Sequence, residues 1–61
     1  MNLNKALSSL LHGAQFTRDN YGWHIVRKPD NKGNRHHTKL RESTARALMA
    51  RGYTPELKYT H

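Results

Sequence analysis

Leu3, Leu7, Leu10 and Leu11 fall at i, i+4, i+7 and i+8, with polar or small residues between them. That spacing lays four leucines along one stripe of a helix. Asn2 or Asn4 can cap its start, and Gly13 suits the left-handed position just past its end. Beyond Gly13 the period shortens. Gln15 to Arg18 is an extended run around Phe16, and Trp23 to Arg27 is rich in aromatic and β-branched residues. Between them Asp19-Asn20-Tyr21-Gly22 carries turn chemistry, because Asn and Gly accept positive φ at little cost. The two runs read as a hairpin. Trp23 and Ile25 share one face, expected toward the helices, and His24 and Val26 share the other.

Pro29 to Asn34 is a second turn cluster. Arg35 to Thr38 is either a short third strand or the approach to the next helix, with loop slightly favoured over strand because Thr38 is its only β-favouring residue. From Lys39 to Arg51 there is neither Gly nor Pro, and Leu40, Thr44, Ala47 and Leu48 repeat at helical spacing. A second helix is expected there, capped by Thr38 and stopped at Gly52, with Pro55 barring its continuation. Glu42 and Arg46 stand four apart in the favourable order for an ion pair. In the tail Tyr53, Leu57 and Tyr59 share one parity, which suits an edge strand or a docked arm.

These elements predict an α+β fold in one domain over residues 1–61. The order is helix, hairpin of two or three short antiparallel strands, helix, then extended tail, with both helices on one face of the sheet. Only 34% of the 61 residues are apolar, so the core is small, and a homodimer is compatible with it. The chain has no cysteine, which excludes disulfides, thiolate metal sites and cysteine nucleophiles. No apolar run approaches the roughly 18 residues of a membrane span, and the first thirteen residues do not read as a secretory signal. No membrane partner is expected, and a cytoplasmic location follows as the default.

Charge sharpens this picture. Eleven Lys and Arg stand against four Asp and Glu, a formal net charge of +7. A small particle so charged attracts polyanions, and nucleic acid is the first expectation, DNA ahead of RNA. Six of the cations lie between positions 27 and 41: Arg27, Lys28, Lys32, Arg35, Lys39 and Arg41. A flexible turn displaying cations beside a helix N-terminus is a sound phosphate device. The expected contacts are these six, with Arg46 at the periphery. The alternative is a small protein-interaction module, such as a phage or mobile-element inhibitor, that covers an acidic surface of a host protein.

Other chemistry finds little support. His36 and His37 are adjacent and point apart on a strand, and no second ligand pair stands at a metal-binding spacing. No metal or cofactor is expected. Asp19 and Asp30 sit in turns, where carboxylates bond their own backbone, and Glu42 is accounted for by Arg46. With no nucleophile elbow, phosphate loop or carboxylate pair, the chain reads as non-enzymatic. Trp23 is expected in the core, and Tyr21 is the aromatic expected to be exposed.

Two resemblances accompany this reading. Gly22-Trp23, Lys32-Gly33-Asn34-Arg35 and the helix from Thr38-Lys39-Leu40 through Ala45 and Ala47 resemble the small sheet-plus-helix DNA-binding domains of some phage integrases, over about half the chain. That resemblance implies a sheet face against a DNA groove. The element order is also similar to that of double-stranded-RNA-binding domains, with shorter strands and without their lysine run at the final helix. There Arg35, His36, Lys39 and Arg41 would stand where that family meets phosphates.

Overall fold

The computed structural model describes residues 1–59. Helix α1 spans Leu3–Leu11, and the Asn2 side chain caps it by accepting the Lys5 N–H at 2.9 Å. His12 ends the helix, and Gly13 turns the chain at φ +94°. The apolar stripe is rotated from the leucine spacing. Ala6 is the fully buried position, Leu3, Leu7 and Leu10 pack at the edge of the core, and Leu11 is 79% exposed.

Strand β1 (Gln15–Asp19) and strand β2 (Gly22–Val26) form the hairpin, with Phe16 opposite Ile25, Thr17 opposite His24 and Arg18 opposite Trp23. The turn is closed by Asp19, whose carboxylate accepts the Tyr21 N–H at 2.7 Å. Asp30 does the same in the second turn, accepting the Lys32 and Asn34 N–H groups at 2.8 and 3.0 Å. Strand β3 (His37–Leu40) then pairs antiparallel with β2, with Leu40 opposite Trp23 and Thr38 opposite Ile25.

This third strand settles one expectation and corrects another. Of the two readings left open for 35–38, the strand is the one formed, shifted to His37–Leu40, and Lys39 and Leu40 do not open the second helix. Helix α2 runs Glu42–Ala50 with Arg41, not Thr38, at its N-cap and no side-chain cap bond. Leu40 sits at helical spacing from Thr44 and Leu48, but the ladder to β2 satisfies its backbone and buries it in the same core to 3% exposure. Tertiary pairing overrides a weak local preference. Strand β4 (Glu56–Leu57) joins the free edge of β1 in parallel, and the Lys58 N–H donates to the Arg18 carbonyl at 2.7 Å. The tail is thus an edge strand, and the sheet is mixed, in the order β3-β2-β1-β4.

Ala6, Phe16, Ile25, Leu40, Ala45 and Leu48 make the core between both helices and one face of the sheet. Each large member contributes about 1.5–3 kcal/mol by leaving water. Trp23 and Tyr53 pack against this cluster half-buried. The other face of the sheet carries Gln15, Thr17, His24, Val26, His37 and Lys39; neither helix packs on it, and Thr17 and Val26 are nonetheless buried there. Among the described residues, no helix is long and apolar enough to cross a membrane.

Candidate functional site

The hairpin register gathers basic residues at one end of the sheet. There β1 begins, β2 ends and β3 begins. Arg27 follows Val26, and its N–H donates to the His36 carbonyl at 3.0 Å, extending the β2–β3 ladder by one bond. Arg35 stands just outside β3. Lys28 folds back over Gly13, its Nζ 2.8 Å from where a Cβ on that residue would lie. The ammonium therefore sits near the negative end of the α1 dipole, a favourable place for a cation. Lys32 is exposed in the turn between Arg27 and Arg35.

Three open recesses meet at this end. One of about 410 Å³ lies between the last turn of α1 (Ser8, Ser9, His12) and Arg27 and Lys28. A second of about 200 Å³ shares Arg27 and Lys28 with it and adds Gly13, Gln15 and Arg35. A third of about 310 Å³ shares Gln15, Val26 and Arg35 and continues along β1 on the face away from the helices, past Thr17, His37 and Lys58, to the Asp19 carboxylate at the far end of the strand. The shared walls make one depression that wraps the end of the sheet, with Arg27, Lys28 and Arg35 along its length.

The remaining sequence-predicted residues lie elsewhere. Lys39 is on the face away from the helices, opposite His24, toward the β1–β2 turn, with its stem over Gly22. Arg41 lines a separate recess with Met1, Asn2, Leu3, Ser43 and Thr44 at the other end of the molecule. Arg46 is held on the outer surface of α2 by Glu42, at 2.6 Å. The proposed union of the basic turn with a helix start is therefore not formed. The β3 strand separates the two, and the N-terminus of α2 opens beside Met1–Leu3 instead.

All four carboxylates have local partners. Asp19 lies 3.6 Å from the His24 ring, Asp30 3.9 Å from His36, Glu42 pairs with Arg46, and Glu56 pairs with Lys58 at 3.1 Å. The backbone N–H groups of Asn34 and then Lys32 hold the Asp30 carboxyl below its ordinary value. Among the described residues, Arg27, Lys28, Lys32, Arg35, Lys39 and Arg41 have no ion-pair partner. No cluster of three metal-ligating side chains forms among them.

Sequence spacing missed His12, Gln15, His37 and Lys58 as lining residues. His12 and Lys58 come from segments read as a helix end and a tail, and only the parallel β4 pairing and the turn at Gly13 bring them to the depression. Gln15 and His37 carried a signal in strand alternation, since both share a face with Val26. The chain matches no known protein family, no curated protein and no solved structure.

Proposed function

We propose that this chain binds nucleic acid through its phosphates, without covalent chemistry, at the basic end of its sheet. Arg27, Lys28 and Arg35 are the gripping cations, with Lys32 in the adjoining turn and Lys39 on the face away from the helices as outer contacts. Arg41 and Arg46 leave the site. The observation that carries this reading is the continuous depression lined by three cations with no ion-pair partner. Its recesses are open to solvent and run into one another, a form that admits a backbone laid across them. The reading places the chain in the cytoplasm.

Counterion release supplies the test. Each neutralised duplex phosphate adds about −0.9 to the slope of log affinity against log salt, so three contacts give about −2.7. Binding to a mixed-sequence duplex should weaken about 40-fold between 50 and 200 mM salt. Absence of duplex binding at 50 mM, with capture of one discrete acidic protein, would replace this reading with the protein-interaction alternative.

A further inference from the structure

The depression also bears on which form of nucleic acid it takes. The chain has five Phe, Trp and Tyr residues, and none of them lines it. Phe16 and Trp23 face the helices, and Tyr53 packs against the core. Tyr21 projects from the β1–β2 turn, 80% exposed, its N–H bonded to Asp19 where the third recess ends, and Tyr59 follows Lys58 beyond β4; neither ring is part of the lining. The rings that do line the depression are the imidazoles of His12 and His37.

Proteins that hold single strands stack successive bases on aromatic side chains, and that term is a large part of their affinity. A surface of cations and small polar side chains reads charge density instead. A duplex carries one phosphate charge per about 1.7 Å of axis, twice the density of either strand alone. Resting on the nucleic-acid reading above, we propose that the occupant is a double-stranded nucleic acid, gripped by its backbone between Arg27, Lys28 and Arg35. Single strands are secondary ligands. With three phosphates neutralised, slopes of about −2.7 for duplex and −2.1 for single strand differ by about 0.6. For equal intercepts that difference is roughly sixfold in affinity at 50 mM salt.

Fluorescence anisotropy with a labelled 20-base-pair duplex and with each of its separated strands tests this directly. The duplex should bind about sixfold tighter or more at 50 mM salt. A Gln15→Trp variant, which adds one ring to the depression, should raise single-strand affinity about tenfold and narrow the gap. Single strands binding the native chain as tightly as duplex would overturn the inference while leaving the nucleic-acid reading standing. Binding of neither form would overturn both.

Discussion

Arg18 stacks on Trp23, its guanidinium carbon 4.1 Å from the ring centre, the two residues facing each other across the β1–β2 ladder. One of the eleven cations is thus a structural group on the helix side of the sheet, outside the basic end. Trp23 is half-buried beneath it, so the indole closes the edge of the core.

Removing the ring should cost about 3 kcal/mol, the lower end for a tryptophan truncation, because part of its surface is already wet. Arg18→Ala should cost about 1 kcal/mol through the lost cation–π contact. Urea melts of Trp23→Ala and Arg18→Ala measure both. An unchanged midpoint for Arg18→Ala would show that the stack contributes nothing to stability.

Much of this fold is legible in residue spacing, and the exceptions share a cause. The hairpin is written in its turn residues, and both Asp19 and Asp30 close turns as their positions imply. Leu40 is the instructive failure. An inward residue of β3 and an apolar residue one turn ahead of Thr44 point into the same core, so spacing alone does not separate strand from helix. Only the pairing with β2, a contact between distant residues, decides it. The candidate site divides in the same way. Arg27, Lys28, Lys32 and Arg35 are joined by a short connection and stay together, whereas Lys39 and Arg41 belong with them only if the second helix opens at Lys39, and it opens at Glu42. His12 and Lys58 reach the depression through tertiary structure that has no local signature.

Gly13 and Gly52 both hold φ near +95°, at +94° and +96°. Alanine at either should cost about 1 kcal/mol from backbone strain. They differ in surroundings. A Cβ at Gly52 meets open space, while one at Gly13 collides with the end of the Lys28 side chain. The flexible lysine can swing away, so the two melts should be alike. Only Gly13→Ala should move the Lys28 resonances in an NMR spectrum and weaken duplex binding. Equal, undisturbed Lys28 resonances in both variants would contradict the position assigned to that side chain.

Asp30 links the basic turn to pH. Its carboxyl is held below the ordinary value of 3.8, first by the Asn34 N–H and then by the Lys32 N–H. A folded-state value below the unfolded one contributes stability above the unfolded value and loses it as pH falls through the folded one. The turn should therefore be unchanged from neutral pH down to the ordinary aspartate value of 3.8 and loosen only in stronger acid. A carboxyl-carbon titration of Asp30 should show a midpoint below 3.8, with Lys32 and Asn34 amide shifts following it. A midpoint at or above that value would mean the two N–H groups do not hold the carboxylate in solution.

The central claim is that cations at one end of the sheet, and not net charge alone, bind nucleic acid. It is tested most directly by comparing two double variants of equal charge. Arg27→Ala with Arg35→Ala removes two walls of the depression. Lys5→Ala with Arg41→Ala removes two exposed cations outside it. All four substitutions are at exposed positions and should leave folding near native, about 0.5 kcal/mol or less each. Against a mixed-sequence duplex, the first variant should flatten the salt slope by about 1.8, the loss of two phosphate contacts. The second should leave the slope as in the native chain. Equal flattening in both variants would contradict a localised site and reduce the binding to overall charge.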